Sequence, residues 1–456
     1  MSQATLDITA LDQQRLQIDK AASRHRLFLI GGFLLVATYF IVSFIQFDIA
    51  KVIDRWKPDR AAIFVLDSYA HKDHVVMNWK EPETIDVLFE GGFRFKYDPA
   101  PEWVVQDRGQ RFVQFDSGAQ VYFYADRVEV RDWPDTDETF VIRRDENELP
   151  YVVGYENRPE SLPSTFRATR TKVEIRSDDL YERIQVFKTK VEVHRYEFGW
   201  KYFWFDFDSP LSGVGFVEAI GLIFDSDRVD PEQSNAALVL HEFLDNSMWL
   251  HGTVLYSLLE TVFMALLGTM IACLFGLPLA FLAAKNIQPL SGVRFILRRL
   301  FDILRGIDVL IWSIIFLRAF GPGLFTGIFA IAFTDTGTLG KLMSEAIENS
   351  DNKQQEGVRS TGASKVQQHR YGILPQIMPV FISQSLYYLE SNTRGAVIIG
   401  AMGAGGIGLQ FLGALQTGTD WENVMYMALL VLLTVIFMDW MSARLRQALI
   451  GADRLK

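Results

Sequence analysis

Residues Leu27 to Gln46 read LFLIGGFLLVATYFIVSFIQ, twenty residues without a charge. At 1.5 Å of rise per residue such a run matches the roughly 30 Å of hydrocarbon in a bilayer, so it reads as a membrane-crossing helix. A cleaved signal peptide fits less well, because its apolar core is usually about 7 to 15 residues long and ends at a small-residue cleavage site.

Working outward, four further apolar regions follow residue 250. Residues 253–284 carry one charge, Glu260; 306–340 carry three, Asp308, Arg318 and Asp335; 371–419 carry two, Glu390 and Arg394; 423–443 carry one, Asp439. The second and third exceed one span of about 20 residues and must each contain a turn or a re-entrant piece. Gly321-Pro322-Gly323 supplies the first turn, which divides that region into helices near 307–320 and 324–340. The 371–419 region becomes one helix to about Leu389 and a glycine-rich hairpin. The expected fold is a polytopic α-helical membrane protein of about six transmembrane helices.

Orientation follows from the rule that Lys and Arg in short loops stay cytoplasmic. Arg15, Lys20, Arg24 and Arg26 precede the first span, Lys285, Arg294, Arg298, Arg299 and Arg305 separate the second from the third, and Arg444 and Arg446 follow the last. Both termini are then cytoplasmic, residues 47–250 face outward, and 341–370, with Lys341, Lys353, Arg359, Lys365 and Arg370, face inward. The expected divisions are a cytoplasmic segment 1–26, the span 27–46, an extracytoplasmic insertion 47–250, a membrane domain 251–446 with an inward loop 341–375, and a tail 447–456.

The insertion holds 25 basic and 39 acidic residues of the chain's 45 and 55, so the acidity of the whole belongs to it. Neither part carries the dense basic patch that nucleic-acid phosphates demand, and no nucleic-acid partner is expected. Between about 84 and 206 the pattern alternates, as in Arg127-Val128-Glu129-Val130-Arg131, Lys172-Val173-Glu174-Ile175-Arg176 and Lys190-Val191-Glu192-Val193-His194. That is the period of strands with one buried face, and turn signals at Glu90-Gly91-Gly92, Asp116-Ser117-Gly118 and Pro134-Asp135 favour an antiparallel, mainly-β domain. The aromatic run Trp200 to Phe207 reads as core or membrane-proximal packing, and 231–250 as a helical lead into the next span. The chain's one cysteine, Cys273, lies in a span, so no disulfide holds the insertion. His71 and His74 read as surface residues, His194, His241 and His251 as isolated, and no structural metal is expected.

The most informative stretch is Glu356-Gly357-Val358-Arg359-Ser360-Thr361-Gly362-Ala363-Ser364-Lys365, then His369-Arg370-Tyr371-Gly372-Ile373-Leu374-Pro375-Gln376. It reads as a short helix, a glycine turn, and a second helix entering the membrane at Leu-Pro, a projecting shape suited to being grasped. This resembles the cytoplasmic loop of permease subunits of bacterial ATP-binding cassette importers, with pattern Glu-Ala-Ala, three residues, Gly, nine residues, Ile-x-Leu-Pro. Glu356, Gly362, Leu374 and Pro375 hold the pattern, whereas Gly357 and Val358 replace the alanines and Gly372 the isoleucine. MALLGTMIACLFGLPLAFLAAKN at 264–286, RGIDVLIWSIIFLRAFGPG at 305–323, GASKVQQHRYGILPQIMP at 362–379 and ESNTRGAVIIGAMGAGGIG at 390–408 are similar to phosphonate-import permeases in particular. Relatives more often have Pro-Glu at Ile307-Asp308 and a far shorter first outward loop, so the insertion lies outside the resemblance.

The resemblance implies an inner-membrane, multi-pass transport subunit rather than an enzyme. It moves phosphonate or a related phosphorus oxyanion by alternating access, works as a permease homodimer in membrane lipid, and is served by an extracytoplasmic solute-binding protein. Cytoplasmic ATP-binding subunits carry ATP and Mg, and no cofactor is bound by this chain. Their expected contacts are Glu356, Gly357, Arg359, Gly362, Ala363, Leu374 and Pro375. Gly403-Ala404-Gly405-Gly406-Ile407-Gly408 fits a dinucleotide-binding pattern literally, but a membrane helix precedes it and apolar residues follow, so it reads as close helix packing beside a pathway. Gly337-Thr338-Leu339-Gly340-Lys341 lacks the earlier Gly and the hydroxyl residue of a phosphate-binding loop. Glu390 and Arg394 lie four apart on one helix face; Arg394 is a cation for a phosphorus oxyanion, or the two form a neutral internal pair. Arg318 and Asp335 read as interfacial, and Glu260 as reaching the outer surface or pairing across the bundle. The alternative is a membrane-anchored receptor or enzyme working through the outward β domain, against which stand five further spans and the absence of a catalytic motif.

Overall fold

The structure, a computed structural model, describes residues 2–48, 51, 58–90, 95–107, 109–134, 136, 138–156, 161–178, 181–418 and 420–451. The expected turn residues Gly91, Gly92 and Asp135 and the tail residues 452–456 lie outside them. The chain divides into a unit at 1–64 and a unit at 65–456.

The first unit is dominated by helix α1, Ser2–Gln46. Its apolar half is uncovered, with Phe28 and Phe33 each more than two-thirds exposed. Side chains that would be unfavourable in water all around a helix are the composition of a lipid-facing one. Helix α2, Pro58–Tyr69, leads into the second unit.

The insertion is a sandwich of two six-stranded antiparallel sheets. One has order β2 (Ile85–Phe89), β1 (Ala70–Asn78), β12 (Lys190–Phe198), β11 (Glu182–Phe187), β10 (Lys172–Arg176), β9 (Phe166–Ala168), and the other β3 (Val104–Asp107), β4 (Gln110–Gln114), β5 (Gln120–Phe123), β6 (Arg127–Arg131), β7 (Phe140–Arg144), β8 (Pro150–Val152). The three alternating runs are strands β6 (Arg127–Arg131), β10 (Lys172–Arg176) and the first part of β12 (Lys190–Phe198). Their aliphatic members Val128, Val130, Val173, Ile175, Val191 and Val193 all point into one core that also holds Trp133 and Ile184. β1 (Ala70–Asn78) begins well before the expected sheet boundary. It pairs with β12 from Ala70 opposite Phe198 to Asn78 opposite Lys190, so the chain enters and leaves the sandwich at the same end. That is what an inserted domain requires.

Two small helices, α3 (Phe216–Phe224) and α4 (Asn235–Leu244), connect the sandwich to the membrane domain. There follow α5 (His251–Ala283), α6 (Ser291–Gly306), α7 (Val309–Phe320), α8 (Leu324–Glu348), α9 (Asn352–Ser360), α10 (Lys365–Gln368), a π-helical turn His369–Ile373, α11 (Leu374–Ile399), a second π-helical turn Gly400–Ala404, α12 (Ile407–Thr417) and α13 (Trp421–Ile450). Among the described residues three helices are long and apolar enough to cross a membrane, Ser23–Gln46, His251–Ala283 and Trp421–Ile450, and a fourth results if the pair Lys365–Ala404 and Ile407–Thr417, bent by 64°, is one broken span.

Six spans are therefore not obtained on length and composition. α7 has only 12 residues. α8 is long enough but is the buried centre of the bundle, where Thr326, Asp335, Thr336 and Ser344 face neighbouring helices rather than lipid. It is packed through small residues: a Cβ on Gly340 would lie 2.4 Å from the ring of Phe301 in α6. The basic stretch after α5 is the 16-residue helix α6 rather than a loop. The expected helix end near Leu389 is also corrected, since α11 runs ten residues further to Ile399. Glu390 and Arg394 are no obstacle because they are only one turn apart and partner each other.

The bundle has two distinct ends. At one, His251 starts α5 and its Nδ1 lies 2.8 Å from the Tyr426 hydroxyl near the start of α13. There His251 Nε2 donates to the Phe203 carbonyl at 2.6 Å and Asn246 Nδ2 donates to that of Tyr202 at 2.9 Å, which joins the sandwich's exit segment to the bundle. At the other, Arg298 pairs with Glu348 and Asn286 Nδ2 donates to the Ile347 carbonyl at 2.9 Å. The two-helix loop begins from that second end.

Candidate functional site: the two-helix loop and the broken span

The loop is a two-helix unit held by caps at both helix starts and by a tie to α11. Asp351 caps α9 by accepting from the Lys353 amide at 2.9 Å. Gly362 turns the chain at φ +79, a conformation that side chains disfavour. Ser364 then caps α10, with the Gln367 side chain returning to the Ser364 amide at 2.8 Å. Gln376 in α11 ties back to Asp351, accepting from its amide at 2.8 Å. The glycine at 372, where the resemblance would place isoleucine, has a packing reason: a Cβ there would sit 3.2 Å from the Gln355 Cα of α9.

Of the residues singled out from the sequence, Gly357, Gly362 and Ala363 line one open cleft of about 660 Å³ together with Gln354, Val358, Thr361, Gln367 and Tyr371. Glu356 and Arg359 are exposed on α9 outside that cleft. Leu374 and Pro375 form the first turn of α11, where a missing amide costs nothing.

α11 carries the loop's connection into the bundle and ends at the break. Gly403, Gly405 and Gly406 have φ of +109, +88 and +70. This reversal starts α12, whose first amides are held by α5: the Gly406 amide donates to Glu260 Oε2 at 3.1 Å and the Ile407 amide to Thr261 Oγ1 at 2.9 Å. The fit leaves no room, since a Cβ on Gly408 would lie 1.8 Å from the Val397 carbonyl oxygen. Glu260 thus pairs across the bundle, through the Gly406 amide, and its carboxylate caps the broken span at a helix N-terminus.

Arg394 Nη2 lies 3.7 Å from Glu390 Oε1, with the guanidinium side chain 57% exposed and the carboxylate 15%. Asp335 is buried rather than interfacial. It accepts from Asn392 Nδ2 at 2.5 Å, and the same nitrogen reaches Thr269 Oγ1 at 2.9 Å, so one polar clamp ties α5, α8 and α11 together. Sequence reading missed Asn392 and Thr269, which carry no charge and sit at no recognised motif.

The histidines also need correction. His71 is buried and its Nδ1 donates to the Gly199 carbonyl at 3.1 Å. His74 and His194 are cross-strand neighbours with ring centroids 4.1 Å apart. Burial, then each other's charge, pushes His74 down to about 2. Near the seam between sandwich and bundle, a cavity of about 310 Å³ is lined by His71, Glu90, Lys201 and Glu422 among others. Glu90 accepts from the Lys72 amide at 2.6 Å, and burial followed by the nearby Glu422 pushes its carboxyl up to about 8.

Residues 276–450 match the family described as "Binding-protein-dependent transport system inner membrane component". The phosphite transport system permease protein PtxC of Stutzerimonas stutzeri is 36% identical over 190 residues, which are 42% of this chain and 69% of that protein. The chain belongs to this family of permeases. The phosphate-import permease protein PhnE of Mycolicibacterium smegmatis is 34% identical over 195 residues, 43% of this chain and 36% of that protein. The chain therefore spans about a third of the length of that relative. An Escherichia coli protein named as a cryptic phosphonate transport system permease, PhnE2, is 43% identical over 118 residues, 26% of this chain and 96% of that protein. These relatives are named as permease proteins of phosphate, phosphite and phosphonate transport. The family match takes in α6 to α13 and the loop, while the sandwich at 70–198 lies outside it.

Proposed function

We propose that the chain is the membrane-spanning half of an ATP-driven importer for phosphonate or a related phosphorus oxyanion. Two copies enclose the pathway, partner ATPase subunits that bind ATP and Mg hold the loop 341–375 from the cytoplasm, and a solute-binding protein delivers cargo on the opposite side, where the 47–250 insertion stands. The observation that carries this reading is continuity. The loop's last turn is the first turn of α11, and α11 ends at the glycine break that Glu260 and Thr261 cap. A push on the two-helix loop therefore has a stiff path to the broken span, with the Asp335–Asn392–Thr269 clamp as its bearing.

In this reading α7 and α8 complete the bundle within the membrane, where the polar groups of α8 are satisfied by neighbouring helices. Arg394 offers a planar, permanently charged fork to an oxyanion, with Glu390 as its resting partner. Gly403, Gly405, Gly406 and Gly408 form the gate beside it. The relatives' names supply the cargo class, phosphonate, phosphite or phosphate. The test is ATP-dependent uptake of labelled methylphosphonate, phosphite and phosphate into proteoliposomes holding the chain, its ATPase and its binding protein. Arg394→Gln is expected to raise KM for the transported anion with ATP hydrolysis intact. Wild-type KM in that variant would take Arg394 out of the pathway.

A further inference from the structure

Helix α3, Phe216–Phe224, reads FVEAIGLIF and belongs neither to the sandwich nor to the family-matched segment. One face is used inside the protein: Ala219 is buried and Leu222 half-buried against Leu238 of α4 and against Phe205 and Leu211. The opposite face is not covered. Phe216, Val217, Ile220, Ile223 and Phe224 follow the spacing of a helical stripe and are exposed by 51, 80, 41, 37 and 84%. Such a patch on a protein surface marks an interaction site.

Its place in the fold says with what. Phe216 stacks on Trp204 with centroids 4.7 Å apart, Trp204 lies 6.0 Å from Phe243 of α4, and Phe243 stacks on His251 at 4.1 Å. His251 is the first residue of the membrane-crossing helix α5, so this chain of rings fixes α3 to the end of a span. The same end collects Trp200, Trp249 and Tyr426, whose rings lie within 6.2 Å of one another. Trp249 and Tyr426 are buried in that cluster, which fastens this end of the bundle from inside.

We propose that α3 is an interfacial helix, lying in the plane of the bilayer at the insertion's end of the bundle with its apolar stripe in the acyl boundary. The inference rests on reading α5 as a span. The sole charge of α3, Glu218, accepts from the Gly215 amide at 3.1 Å, and the segment after α3 is acidic, with Asp225, Asp227, Asp230 and Glu232 against Arg228. The contact is thus apolar rather than electrostatic, and neutral phosphatidylcholine suffices.

The experiment uses the full chain with Cys273→Ser, a single introduced cysteine at Val217→Cys or Phe224→Cys, and an environment-sensitive fluorophore, in phosphatidylcholine nanodiscs. Quencher lipids carry doxyl groups either near the headgroup or near the acyl terminus, and Phe263→Cys, on an exposed position of α5, is the control. The expected result is strong quenching of both α3 positions by the shallow quencher, weaker quenching by the deep one, and the reverse preference at position 263. Unquenched α3 labels beside a quenched control would overturn the proposal and leave the span intact. Disulfide cross-linking of Val217→Cys between two copies, without quenching, would overturn it in favour of a second copy on that face. Absence of quenching at all three positions would remove the span reading of α5 and the proposal with it.

Discussion

The sandwich and the membrane bundle differ in what lies outside and in how many small and polar residues lie inside. In the sandwich the large side chains are inside: Trp133, Ile142, Ile184 and Val193 are essentially inaccessible. In α5 and α8 small and polar residues share the inside with large ones, Ala265, Ala272, Thr261, Thr269 and Asp335 being buried beside Met264, Ile331 and Leu339, while Phe263, Leu274 and Phe275 point outward. Water drives the first arrangement by excluding apolar surface. Lipid offers no such drive between helices, so association relies on close approach and on interhelical hydrogen bonds. The difference teaches that one substitution rule cannot serve both halves of this chain.

The largest effect is expected where the bundle has no slack. Gly408→Leu places atoms where the Val397 carbonyl oxygen already stands, and uptake in proteoliposomes should be abolished together with the yield of folded protein. Normal transport would show that the broken span is looser than its packing.

A matched pair sharpens the comparison further. Ile184→Ala, in the sandwich core, should cost about 2–5 kcal/mol through lost burial and a residual cavity. Leu274→Ala, outward on α5, should stay within about 0.5 kcal/mol, as surface changes do. Thermal unfolding of the two full-length variants in nanodiscs reads both, and equal losses would break the contrast.

A smaller effect separates the halves by pH. His74 faces His194, Glu192, Lys72 and Lys190, and its burial first and His194 second hold it neutral in the folded state. The unfolded chain takes up a proton as pH falls below the ordinary 6.5 and the folded one does not until about 2, so stability is lost on acidification across that window. His74→Leu should flatten the dependence of the melting temperature between about pH 7 and 5. An unchanged slope would place the acid sensitivity elsewhere.

How much of this was legible in the sequence follows the same division. Arg127 to Arg131, Lys172 to Arg176 and Lys190 to His194 announce their strands because one face is aliphatic and the other charged. β1 was hidden: near its start His71, Lys72 and Asp73 are polar and yet buried, so no apolar alternation marks where it begins. The two-helix loop was readable from Gly362 and Leu374-Pro375, whose backbone roles are local. The clamp of Asp335, Asn392 and Thr269 was not, because residues 57 and 123 positions apart meet only through helix packing. The helix α6 was not legible among the basic residues between the second and third spans, three of which, Arg298, Arg299 and Arg305, pair with α8 or within α6 itself.

The central claim is that ATP-driven force enters at the loop and leaves at the broken span. It is tested most directly by measuring ATP hydrolysis and phosphonate, phosphite or phosphate uptake together in the reconstituted complex, wild type beside Gly362→Pro. Proline holds φ near −65° and cannot adopt the +79 of Gly362. Wild type is expected to take up one of the anions, and the assembled variant to hydrolyse ATP without transport. Wild-type uptake by the variant, or hydrolysis without uptake of any of the three by the wild type, would contradict it.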